Sequence, residues 1–259
     1  MMTISDGSAK FILSGLAIVI GSTILSASER KNNSDYVYGF PAAPSKTWML
    51  SAGGRLYDNW IAALGVEGPN STHAAWPSSN KTKTGNVTWR CKSCHGWDYL
   101  GAKGNYGSGS YFTGIGGVRG VIGRDPREIT KLLSDSTHGF TDDMIPPQAK
   151  NLVALFLSEG LHETEKYINA DGTIKGDAER GAAIFQGTCA ACHGYDGRTL
   201  NWGAEDSPDY VGTEAKADPW EVLHKIRNGH AGHNMISLRA FNMQDAANVL
   251  AYAQTLPDK

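Results

Sequence analysis

The sequence predicts a helical protein in which one unit occurs twice, and three observations predict it. Cys-x-x-Cys-His stands at residues 91–95 and again at 189–193, each time followed by glycine and an aromatic residue. Asp-Pro-x-Glu stands at 125–128 and again at 218–221. Each half then closes on an amphipathic run, QAKNLVALFLSEG in the first and QDAANVLAYAQTL in the second, with the apolar spacing of a helix. The order of these landmarks is the same twice over, which is the signature of a duplication.

The Asp-Pro-x-Glu units read as helix starts. Asp caps, proline suits the first helical position, and a glutamate three residues after the cap can complete a capping box. A helix is also expected ahead of each cysteine motif. In the second half it is DAERGAAIFQGT, running straight into Cys189; in the first the best match is SAGGRLYDNWIAAL, residues 51–64. An insertion at 65–88, rich in Ser, Thr, Asn and Pro, then intervenes before Cys91 and reads as loop. After His95 comes a glycine-rich run, 101–123. It lacks the Gly-Lys-Ser/Thr ending of a phosphate loop, so close backbone approach to a bulky flat group is the better reading.

With 259 residues the chain suffices for one large domain or two small ones, and 41% hydrophobic with 19% charged residues suits a folded protein. A net charge of -2, with no basic patch interleaved with aromatics, argues against a nucleic-acid partner. Residues 11–28 carry no charge and are bounded by Lys10 and Glu29, so 1–28 reads as a signal peptide or a membrane anchor. Either places the remainder outside the cytoplasm. The expected division is a linker at 29–47, a first domain at 48–161 containing the 65–88 insertion, a second linker at 162–177 and a second domain at 178–259.

All four cysteines lie in the two motifs. Cysteines at i and i+3 on a helical turn face the same way, so both sulfurs can add to the two vinyl groups on one edge of a haem. The histidine behind them can then reach the iron, which is the c-type attachment pattern. Cys91, Cys94 and His95 would hold one haem c, and Cys189, Cys192 and His193 a second. A Cys₄ zinc site is the plainer alternative, but each pair has its own histidine in its own repeat. A redox dithiol would need no histidine after both pairs.

Each iron needs a sixth ligand or a vacancy. Met144 and Met235 occupy matched positions, after the Asp-Pro helix and before the last helix of their halves, and are the favoured ligands. His138 is a rival on the first iron; His230, His233 and Met243 are rivals on the second. His73, His162 and His224 have no repeat partner and read as surface or satisfied histidines.

With these motifs the chain resembles a tandem class I cytochrome c, of the dihaem cytochrome c4-like kind, over about residues 50–160 and 175–259. The resemblance implies an all-α fold, two cytochrome c-like haem domains in tandem behind the N-terminal hydrophobic helix. It also implies His95 with Met144 and His193 with Met235 as axial pairs. The family methionine is usually followed by proline, whereas Ile145 and Ile236 follow here. The implied function is single-electron transfer between redox partners on the periplasmic side of a membrane, such as a dehydrogenase, a quinol-oxidising complex or a terminal oxidase or reductase. The alternative is a dihaem enzyme, peroxidase-like or thiosulfate-dehydrogenase-like, with one displaceable ligand. Residues 1–160 carry 15 Lys/Arg against 12 Asp/Glu and residues 161–259 carry 9 against 14, a dipole that could orient docking.

Overall fold

A computed structural model describes residues 41–258. The predicted N-terminal segment at 1–28, and residues 29–40 of the first linker, lie outside the described residues. Among the described residues the chain is helical and has no strand; two isolated bridges pair Gly101 with Gly116 and Ile168 with Ile174. No helix among them is long and apolar enough to cross a membrane.

Helix α1 (Lys46–Leu64) starts five residues before the predicted stretch, because Ser45 accepts from Trp48 N and caps it there. Its path breaks at Asn59, whose φ of -155° is not helical and whose Oδ1 accepts from Ala62 N to restart the last turn. Helix α2 (Cys91–His95) is the first cysteine motif. Helices α3 (Pro126–Leu133) and α4 (Pro147–Leu155) follow, and a π-helical turn carries α4 on to Gly160. In the second half α5 (Ala178–Ile184) runs through a π-helical turn into α6 (Ala190–His193), the second cysteine motif. Helices α7 (Val211–Ala217), α8 (Pro219–Asn228) and α9 (Met243–Ala253) complete the chain.

The Asp-Pro starts cap their helices as read, but neither Glu128 nor Glu221 completes a capping box. Asp125 accepts from Arg127 N and Asp218 from Glu221 N, with proline opening each helix. Glu221 pairs with Lys225 one turn further on, at 2.5 Å.

One packing device occurs in both halves. A methyl group on Gly53 of α1 would sit 2.2 Å from Leu152 O of α4, and one on Gly181 of α5 would sit 1.9 Å from Asn248 O of α9. Each glycine lets the helix ahead of a cysteine motif cross the closing helix backbone to backbone. Around these crossings the buried apolar side chains form two clusters, one built on Leu56, Trp60, Ile129, Leu152 and Phe156, the other on Phe185, Leu223, Val249 and Leu250.

The stretch 162–177, expected as a linker, is packed: Thr164 and Ile168 are buried, and Glu165 pairs with Arg119 at 2.7 Å. Contacts between the halves centre on α1 and α8. Ser51 Oγ donates to Asn228 O at 2.7 Å, and His224 Nε2 donates to Gly54 O at 2.9 Å. His224 Nδ1 in turn accepts from Tyr99 OH at 2.8 Å. His224 is therefore satisfied but fully buried, not at the surface. Desolvation pushes it down to about 4, so it is neutral. His73 is likewise buried and satisfied. His162 departs from both expectations, since its two ring nitrogens are buried and make no hydrogen bond.

Candidate functional site

Two cavities of nearly equal volume, about 270 and about 260 Å³, each open beside one cysteine motif. Both motifs end on a glycine with φ of +78°, Gly96 and Gly194, a left-handed turn that a side chain would strain. The turn takes the chain away from the histidine and leaves the ring in the cavity.

The first cavity is lined by Cys91, Cys94 and His95 and walled by Tyr57, Trp89, Ile129, Leu133 and Phe140. Its motif is clamped to α1, for Arg90 donates to the buried Asp58 carboxylate at 2.5 Å and to Asp58 O at 2.9 Å. Burial pushes Asp58 up, but Arg90 and the neighbouring cations outweigh it and hold the carboxyl below its usual range. His95 donates through Nδ1 to Gly116 O at 2.7 Å, which orients its ring. Burial lowers its pKa and keeps the imidazole neutral, the form that binds metal.

This hydrogen bond explains part of the glycine-rich run. Gly101 and Gly117 are required because the loop folds back on its own backbone, where Cβ atoms would meet Gly116 and Tyr99. Gly117 and Gly120 also form part of the cavity wall.

Met144, the favoured distal ligand from the sequence, is not among the residues lining this cavity. It is half-buried against the first apolar cluster. His138 lines the cavity instead, its ring centre 6.4 Å from that of His95. His138 Nδ1 donates to Asp135 Oδ1 at 3.1 Å. His73, from the 65–88 insertion, lines the cavity too and donates through Nε2 to His138 O at 2.9 Å.

The second cavity brings together Cys189, His193, Met235 and His230, with Phe185, Trp202, Ile226 and Val249 as walls. Cys192 is exposed and is not among the residues lining it. His233 and Met243 do not line it; Met243 opens α9 and packs on the second apolar cluster. His230 donates through Nδ1 to Ala231 O, and its ring lies edge-on to His233 at 4.7 Å. His193 Nδ1 is buried without a partner, unlike its counterpart His95. Glu214 and Glu221 stand at the wall. Burial and the neighbouring Asp209 carboxylate push Glu214 up to about 7.

All four cysteines are free. Burial raises Cys91 to about 12 and Cys94 and Cys189 to about 11, so these thiols stay protonated near neutrality. Thiol–disulfide exchange needs the thiolate, so a redox dithiol is a poor reading. Among the described residues no three His, Cys, Asp or Glu side chains are grouped to hold a bare metal ion, which removes the Cys₄ zinc alternative. Each cavity has the lining that a flat apolar group with a central metal would need, with apolar walls and an imidazole inside; Cys91 and Cys94 line the first and Cys189 the second.

Residues 176–252 match the family described as cytochrome C oxidase, cbb3-type, subunit III. A curated protein of Synechocystis sp., described as cytochrome c-553-like, is 31% identical over 99 residues, spanning 36% of this chain and 81% of that relative. No solved structure matches the chain.

Proposed function

Because the chain belongs to the cytochrome c family, and so carries covalently bound haem c, we propose that it is a dihaem electron-transfer protein, one haem in each cavity. The single observation that carries this reading is the recurrence of the cavity. Each Cys-x-x-Cys-His unit sits against its own apolar chamber with its histidine inside. Cys91 and Cys94 would attach the first haem with His95 as proximal ligand, and Cys189 and Cys192 the second with His193. Met235, in the wall of the second cavity, would supply the distal ligand there.

A haem held on both faces by side chains supplies reversible one-electron chemistry. The protein residues do the rest. Arg90 and Asp58 fix the first motif on α1, the apolar walls would keep water off a bound metal, and Gly116 O sets the orientation of His95.

The protein works outside the cytoplasm, on the periplasmic side, free or held to the membrane by residues 11–28. It passes electrons singly between redox partners, as a carrier or as the cytochrome subunit of an oxidoreductase. The test is a pyridine haemochrome assay on matured protein with a potentiometric titration. Two haem equivalents and two one-electron waves are expected; a single equivalent overturns the reading. Rapid stoichiometric binding of carbon monoxide to one haem of the native protein would favour the enzyme alternative.

A further inference from the structure

Resting on the two-haem reading, we infer that His138, and not Met144, is the distal ligand of the haem in the first cavity. That site is then bis-histidine, while the second pairs His193 with Met235. The family resemblance implies methionine at both, so the assignment is specific to this chain.

Geometry carries it. A metal between two imidazoles, at about 2.0–2.1 Å from each nitrogen, sets the ring centres about 6.3 Å apart. The rings of His95 and His138 are 6.4 Å apart across the cavity. Each ring is anchored at Nδ1, His95 on Gly116 O and His138 on Asp135 Oδ1. An anchor at Nδ1 leaves Nε2, on the far side of the ring, as the coordinating nitrogen, and both Nε2 atoms are without a hydrogen bond. A carboxylate or carbonyl behind a ligating imidazole is the usual device for fixing its tautomer and raising its basicity.

The competing side chains are placed otherwise. Met144 does not line the cavity. His73 does, but both its nitrogens are committed: Nδ1 accepts from Ala75 N and Nε2 donates to His138 O. His73 is thus a positioning residue, holding the backbone of the ligand from the other side. This gives the 65–88 insertion a purpose, since the insertion is what brings His73 there.

Imidazole in place of thioether lowers the reduction potential, so the first haem is the low-potential one and electrons run downhill from the first lobe to the second.

The experiment uses the full-length holoprotein, with haem counted by pyridine haemochrome and ferric spectra recorded in the visible, the near-infrared and by electron paramagnetic resonance. The result expected is two haems but a methionine–iron charge-transfer band with the intensity of one. Met144→Leu leaves that band and both potentials unchanged. His138→Met doubles the band and raises the lower potential. His73→Ala alters the resonance signature of the bis-histidine haem alone, and His73→Gln, whose amide can still donate to His138 O, restores it. Two haems with the band at double intensity in the unaltered protein, or a band halved by Met144→Leu, overturns the inference and leaves the two-haem reading standing. Fewer than two haems overturns both.

Discussion

The two cavities have nearly the same volume and the same attachment motif, yet they hold their histidines in different ways. In the first, His95 donates to Gly116 O, and the facing His138 is gripped by Asp135 at its ring and by His73 at its carbonyl. In the second, His193 Nδ1 is buried with nothing to bond, and a thioether shares the wall with His230. The difference teaches what the extra sequence is for. The glycine-rich loop supplies Gly116 and the insertion supplies His73, and neither has a counterpart in the second half. The match to the cbb3-type family falls on residues 176–252, the half without these additions.

The comparison can be tested first where the halves differ most. Arg90→Ala leaves the buried Asp58 carboxylate uncompensated, and stripping one partner from a buried pair costs about 3–5 kcal/mol. Urea unfolding of the holoprotein at neutral pH checks it. The folded pKa of Asp58 is depressed, so the stability it contributes is present above its unfolded value and is lost as pH falls through the folded one. The penalty of the substitution should therefore shrink in acid. An equal loss at all pH values would mean that Arg90 acts through packing alone.

The next largest effect tests where the halves are alike. Gly53→Ala and Gly181→Ala each push a methyl into a facing backbone carbonyl, and overpacking of this kind costs about 1–3 kcal/mol. Thermal unfolding of the two variants should show similar losses. A loss in only one would break the equivalence of the two helix crossings.

A third substitution should stabilise. Burial pushes Asp218 up to about 6, so the folded state holds its proton more tightly than the unfolded one. Its destabilising contribution is absent below about 4 and grows as pH rises through about 6. Asp218→Asn keeps an N-cap acceptor for Glu221 N and should gain about 1 kcal/mol at neutral pH, a gain that disappears in acid. Urea titrations at two pH values measure it.

The smallest effect sharpens the contrast between the cavities. Glu214 lines only the second and ionises near 7. Raising the pH through that value places a negative charge at the wall and would favour the oxidised form of a haem held there. The potential of the second site should fall by on the order of tens of millivolts, less than the 59 mV of a tenfold one-electron change. The first potential should not follow it, and Glu214→Gln should abolish the dependence in a potentiometric titration.

What the sequence made legible was local. The cysteine motif, the Asp-Pro caps and the closing helices each depend on residues within one or two turns, and each lies where the spacing put it. The choice between His138 and Met144 was not local. It depends on where the insertion carries His73 and how the chain turns after α3, whereas matched position in a repeat pointed at Met144, a side chain that does not line the first cavity. The crossing glycines were equally hidden. Gly53 and Gly181 gain meaning only against Leu152 and Asn248, far along the chain. His224 looked unremarkable because its partners, Gly54 and Tyr99, come from the other half.

That last histidine bears on how the molecule can be taken apart. Severing the chain within 162–177 would not release two free-standing pieces. The C-terminal fragment would carry a neutral imidazole built for Gly54 and Tyr99, and the N-terminal fragment would bare the Ser51–Gly54 face of its first helix to water. A nicked preparation should therefore elute as one particle, and either fragment made alone should be sticky.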